Sequence, residues 1–231
     1  MNFLQRNLFA KLRADNFSTQ EVMEPMTTFK LKKIARMMEN INDMPVGEIE
    51  LSSHFLNKRF IKIQNDERHA IDTSVETLYL LRLIVGNVNG MLANGITLRG
   101  VIQLGKYLRT RGDKVDFIKL DSWLEKLHIK RMAQLQGSIL IRFFHFERDE
   151  LPFVHRIEKG ASRLTLRALY FNIQDQKEIH FRQDTFGLIR SRDGAMRKRA
   201  SHSMRYFRYA PIETLSNFVQ RVTRSLSELE E

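Results

Sequence analysis

Apolar residues in this chain recur mostly every three or four positions, the spacing of one helix face, and seldom alternate as in a half-buried strand. Residues 2–14 set Phe3, Leu4, Leu8, Phe9 and Leu12 on one stripe. After Pro25, Phe29, Leu31, Ile34, Met37, Met38 and Ile41 repeat the pattern. Thr27 or Thr28 suits its N-cap, where a hydroxyl accepts a free backbone N–H. Pro45 and Gly47 then break the run, and a weaker helix of mixed charge is expected over 52–71. Residues 74–92 are the most hydrophobic stretch. Leu78, Leu81, Val85, Val88 and Leu92 make one face, and Leu80, Ile84 and Met91 a second. A helix apolar nearly all round belongs in the middle of a bundle. Asn94-Gly95 marks its end.

Thr97 can cap a helix over 98–110, whose inward residues are Val101, Leu104 and Leu108; residues 111–114 read as a turn. A long helix is expected over 121–147. It opens on the capping pair Ser122 and Glu125, each side chain satisfying the other's free backbone N–H. Leu124, Leu127, Met132, Leu135 and Ile139 are its core positions. Residues 139–146 have strand propensity but continue that helix. Pro152 opens a loop, a helix follows from near 160, and residues 170–190 leave room for a short hairpin. The last helix starts at Pro211, with Ile212, Leu215, Phe218, Val222, Leu226 and Leu229 as its stripe. There is no repeat, low-complexity run or evident linker. The expected fold is mainly α: an irregular multi-helix bundle centred on 74–92, with at most a small β element near 170–190. Residues 1–231 read as a single helical domain, with 1–50 as the one segment able to form a helical subdomain.

Composition narrows the function. Hydrophobic residues make up 42% of 231 positions and Phe occurs 16 times, so the chain can bury a core. Cysteine is absent, which excludes disulfides, thiolate metal sites and a cysteine nucleophile and fits a reducing compartment. The first residues mix Arg and Lys among apolar positions and do not read as a signal peptide. The longest apolar stretch, 78–92, is interrupted by Arg82, Asn87 and Asn89 and is too short for a membrane span. A cytoplasmic protein is expected.

Formal net charge is +11, which favours anionic partners. The excess concentrates between Ser162 and Ala210, where eleven Arg or Lys stand against four acids. Within it, Arg192, Arg197, Lys198, Arg199, Arg205 and Arg208 accompany Tyr206, Phe207 and Tyr209. Guanidinium groups bind carboxylate or phosphate through forked hydrogen bonds, and exposed aromatics stack on unpaired bases. The competing reading has the aromatics packed inward and the arginines solvated. No RNP motif, zinc-finger spacing or helix-turn-helix is present.

Residues 94–155 carry a resemblance. Gly95, Ile96, Leu98 and Arg99 open a helix, Asp116 follows a short turn, an amphipathic helix spans 121–147, and Leu151, Pro152 and Phe153 break it. This order, with "RYFRYAPIE" at 205–213, looks like the helical portion of a family of uncharacterised bacterial nucleotidyltransferases. The family's catalytic part, a Gly-Ser turn followed by Asp-x-Asp on a strand, seats a metal–nucleotide between paired carboxylates. This chain has no Asp-x-Asp, and its only Gly-Ser is Gly137-Ser138 inside an expected helix. The resemblance therefore implies a helical scaffold without the catalytic core, and it assigns no catalytic residue and no cofactor.

Other constellations have bland alternatives. Asp66, His69 and Asp72 follow one another at three-residue steps and are the one metal candidate, weighed against a polar helix face. His145, Glu147, Asp149 and Glu150, with His155 beyond, read as a solvated helix end rather than an acid–base centre. His128 reads as a hydrogen-bonded, partly buried histidine, and Trp123 as a packing anchor. Gly86, Gly90, Gly95, Gly100 and Gly105 form no phosphate loop and are expected to let helices 74–92 and 98–110 approach closely. The expected function is a non-catalytic interaction module of nucleotidyltransferase-like ancestry, holding an acidic partner on the basic surface. Nucleic-acid binding by that surface is the alternative, and an enzyme completed by another chain the third.

Overall fold

The computed structural model describes residues 1–71, 73–178 and 204–227. Among these the chain is mainly α and has no strand. Its helices are α1 (Phe3–Phe17), α2 (Thr28–Asp43), α3 (His54–Arg68), α4 (Val75–Asn94), α5 (Leu98–Arg111), α6 (Phe117–Lys126), α7 (Lys130–Phe144), α8 (Ala161–Glu178) and α9 (Pro211–Ser227). Short 3-10 turns cover Gly112–Lys114 and Met204–Tyr206. None of the described helices is long and apolar enough to cross a membrane.

The two apolar faces of α4 decide its place. Leu80, Leu81, Ile84, Val85, Val88, Met91 and Leu92 are all fully buried. Helices α3, α5, α6, α7 and α9 pack around it. α1 joins through aromatics: Phe9 stacks on Phe143 at 4.4 Å between ring centroids and meets Phe144 edge-on at 5.8 Å. One polar chain crosses this core. Asn87 Nδ2 donates to the Gly100 carbonyl at 3.1 Å and to Gln136 Oε1 at 3.0 Å. Gln136 Nε2 donates to the Ile84 carbonyl at 3.3 Å. These bonds tie α4, α5 and α7 together and satisfy amides that would otherwise be costly to bury.

The glycines of α4 serve a different neighbour from the one their spacing suggests. Gly86 and Gly90 lie against Gly47, in the loop between α2 and α3. A Cβ on Gly47 would overlap the Gly86 carbonyl and the Gly90 nitrogen. The α4–α5 approach rests instead on Gly100, where a Cβ would overlap the Asn87 side chain.

The single helix expected over 121–147 is two. Asp116 caps α6, its side chain accepting from the Lys119 N–H at 2.9 Å, so Ser122 and Glu125 lie inside the helix and form no cap. α6 closes in a Schellman motif. His128 takes left-handed geometry at φ 53 and donates its N–H to Glu125, while Ile129 donates to Leu124. Ile129 and Leu124 are both fully buried, the hydrophobic contact this motif needs. His128 is therefore exposed rather than partly buried. At the hairpin expected near 170–190, residues 170–178 are helical and belong to α8; residues 179–190 lie outside the described residues. α8 extends because Ala161, Leu164 and Leu169 bury one side of it, and α7 packs against it.

α9 shows its unexpected face to the body. Glu213, Thr214 and Asn217 are buried, while Ile212, Leu215 and Val219 are exposed. The partners for the polar residues sit far away in sequence. Glu213 accepts from the backbone N–H groups of Ser52 at 2.7 Å and Ser53 at 3.0 Å. Asn217 donates to Ser52 Oγ at 3.1 Å, and Gln220 to the Ser52 carbonyl at 2.8 Å. Ser53 is the N-cap of α3, so Glu213 places a carboxylate on a helix start, where negative charge is favoured.

Two substitutions test this packing by urea denaturation. Gly47→Ala should cost about 2–3 kcal/mol, because the new Cβ meets backbone that cannot rotate away. His128→Gly should stabilise by up to about 1 kcal/mol by removing left-handed strain from a residue with a Cβ.

Candidate functional site

The basic stretch divides at the limit of the described residues. Arg192, Arg197, Lys198 and Arg199 lie outside them, as does Asp72. Arg205 sits in the 3-10 turn Met204–Tyr206, and Arg208 follows it. The aromatics between them are mostly structural. Tyr206 and Tyr209 are buried and Phe207 is exposed. Tyr209 lies over Gly160, where a Cβ would overlap its hydroxyl, with the Arg131 guanidinium 5.3 Å from its ring centroid. Burial raises the Tyr206 hydroxyl pKa strongly, against a backbone hydrogen bond at Ile96 that lowers it. Two tyrosine anchors thus hold the segment in place and present its arginines.

Cations from other elements meet them there. α8 contributes Arg163 and Arg167, both exposed. Burial lowers the Arg205 pKa, and the positive charge of Arg167 lowers it further. Burial and Glu158 raise the Tyr209 pKa, while the charges of Arg131, Arg208 and Arg163 oppose them. Arginines from α7, α8 and residues 205–208 therefore share one field.

Glu158 organises the inner edge of this cluster. Its carboxylate takes a two-pronged bond from Arg131, Nε and Nη2 each at 3.2 Å, and one from Arg156 at 3.2 Å. Its backbone N–H donates to Ser138 Oγ at 2.9 Å, and that hydroxyl donates to the Gln134 carbonyl at 2.6 Å. Burial alone would raise the Glu158 pKa, but the two guanidiniums outweigh it and hold the carboxyl below its ordinary value. The third arm of Arg131, Nη1, donates to the Arg208 carbonyl at 2.8 Å and fixes that residue.

A groove of about 550 Å³ runs between the starts of α7 and α9. His128, Lys130, Arg131, Arg208, Tyr209 and Ile212 are among its walls. Lys130 is held by Asp121 at 2.7 Å and Glu125 at 2.6 Å. Arg208 makes no ion pair among the described residues. Its backbone is fixed while its charge stays available, which suits it to receive a carboxylate or a phosphate.

The remaining candidates do not converge. Asp66 and His69 are exposed at the end of α3. Between them, Glu67 turns inward, accepting from Lys119 Nζ at 2.8 Å and from the Ser74 N–H. Among the described residues no three His, Asp or Glu side chains gather to hold a metal. In the 145–150 run, His145 is the left-handed C-cap of α7. Glu150 bonds Arg109 at 3.0 Å and the Glu147 N–H at 2.8 Å. His155 faces Asp121 at 3.3 Å. Trp123 is buried in α6. Sequence reasoning missed Arg131 and Glu158. They are 27 residues apart and joined only by tertiary structure, so no periodic signal marks the pair.

No protein-family model, curated protein or solved structure matches this chain.

Because the Glu158 pKa is depressed in the folded chain, its contribution to stability is present above the unfolded-state value and is lost as pH falls through the folded one. Glu158→Gln should lower stability at neutral pH and reduce the further loss on acidification. Urea melts of both proteins at a series of pH values check this, and parallel curves would contradict it.

Proposed function

We propose that the protein is a non-catalytic interaction module that captures an acidic protein segment on its arginine surface. The observation that carries this reading is the gathering of Arg163, Arg167, Arg205 and Arg208 from two separate segments into one field. Packing like charges together costs stability, so the arrangement suits a surface that is neutralised on binding. The net charge of +11 steers an acidic partner toward it, and the groove beside Arg208 receives one of that partner's carboxylates.

A protein partner fits better than a nucleic acid. Of the three aromatics interleaved with the arginines, Tyr206 and Tyr209 are consumed in the core. Phe207 alone of the three is left to stack on a base. We further propose an ancestry shared with the helical portion of nucleotidyltransferases. It rests on the pattern at Gly95, Ile96, Leu98, Arg99, Asp116 and Leu151–Phe153, and catalysis by such an assembly would need a second chain to supply the carboxylate pair.

Fluorescence anisotropy with a labelled poly-glutamate peptide and with a labelled single-stranded oligonucleotide tests the proposal. The peptide should bind, and binding should weaken as salt rises. Arg163→Glu combined with Arg208→Glu should weaken it about tenfold or more while leaving the thermal melt nearly unchanged, since both side chains are exposed. No peptide binding at low salt, or binding indifferent to the substitutions, would refute it. Tighter binding of the oligonucleotide than the peptide would transfer the surface to nucleic acid.

A further inference from the structure

α9 is attached to the body by its polar face, and the face it leaves outward is apolar. Ile212 is 40%, Leu215 53% and Val219 51% exposed. These positions are three and four residues apart, and in the sequence Val222, Leu226 and Leu229 continue the same three-four alternation. A strict 3.5-residue repeat is the seam of a coiled coil, not the broader stripe of a helix packed on a globular core. The polar anchors Glu213, Asn217 and Gln220 fall on the other positions of the repeat. Anchoring and seam are therefore separate faces of one helix, and the anchors fix which way the seam points.

We infer that this seam pairs with its own copy, so that two chains associate through antiparallel α9 helices. Self-pairing is favoured by the flanks. Positions 216, 218, 223 and 225 are Ser, Phe, Thr and Ser, so no like charges face each other across the seam. Orientation follows from the charges beyond its ends. Arg208 precedes the helix, and acids occupy 228, 230 and 231. Parallel pairing would bring acid against acid and Arg208 against Arg208. Antiparallel pairing brings each copy's acids to the start of the other's α9, where Arg208 and the free N–H groups of the first turn attract them. The seam from Ile212 to Leu226 spans about 21 Å at 1.5 Å per residue. A contact of that size gives a weak, concentration-dependent dimer rather than an obligate one.

Sedimentation equilibrium of the full chain should show the mass rising with concentration from 27.3 kDa toward twice that value. Leu215→Glu, and separately Val219→Glu, should weaken association at least about tenfold. Each should melt at the parent's temperature in dilute solution, because both side chains are exposed in the single chain. The absence of native cysteine allows the orientation to be read by crosslinking. Leu215→Cys mixed with Leu226→Cys should form a mixed disulfide under mild oxidation. Leu215→Cys alone should not, since antiparallel pairing holds its two copies about 16 Å apart along the axis, beyond disulfide reach. A chain that stays monomeric at every concentration overturns the inference. So does association that survives both glutamate substitutions, or a self-disulfide from Leu215→Cys alone.

Discussion

Everything in this fold answers to α4, a helix too apolar to leave any side in water. It needs neighbours all round, and each neighbour is set at a distance by a particular contact. Gly100 admits the Asn87 side chain, which reaches on to Gln136 and so fixes α5 and α7 at once. Gly86 and Gly90 admit the Gly47 backbone, so the loop between α2 and α3 lies on α4 itself. The loop then buries Leu51 and delivers the N–H groups of Ser52 and Ser53 to Glu213. The rotation of α9 is thus decided by a chain of contacts that begins with hydrogen atoms on the central helix.

Two buried carboxylates show how differently such a scaffold treats charge. Glu158 meets guanidiniums, and its pKa falls although burial pushes the other way. Glu213 meets only backbone N–H groups; burial dominates, and its pKa rises. Their contributions to stability run oppositely with pH. That of Glu158 is lost as acid protonates it. That of Glu213 is full below its unfolded value and is lost as pH rises through the folded one. The first holds the basic cluster in register, and the second holds α9.

Most of the helices were legible in the sequence, because burial writes itself as periodicity. α4 and its end at Gly95, the start of α5 after Thr97 and the start of α9 at Pro211 all follow from local pattern. The failures share one cause, a local rule overridden by a distant partner or a rare backbone state. The break at His128 carries no glycine to announce it, since left-handed geometry is here taken by a residue with a side chain. The apolar stripe of α9 was visible, but the direction it faces depends on Ser52, more than 160 residues earlier. In the basic stretch, charge was plain to read. Which aromatics turn inward was not, because that depends on Gly160 beneath Tyr209 and on the Ile96 backbone at Tyr206.

The two surfaces proposed here meet at one place, the start of α9. Ile212 is the first residue of the seam and also a wall of the groove that Arg208 borders. An antiparallel partner would bring its acids at 228, 230 and 231 toward that same arginine, offering the groove an acidic occupant from a second copy. An external acidic segment would then compete with those acids for Arg208 while leaving the apolar seam intact. Two ligands that draw on one cation oppose each other through it, by the same factor in either direction. The arginine that Arg131 and Glu158 hold in place is therefore the point at which self-association and capture of a partner exchange free energy.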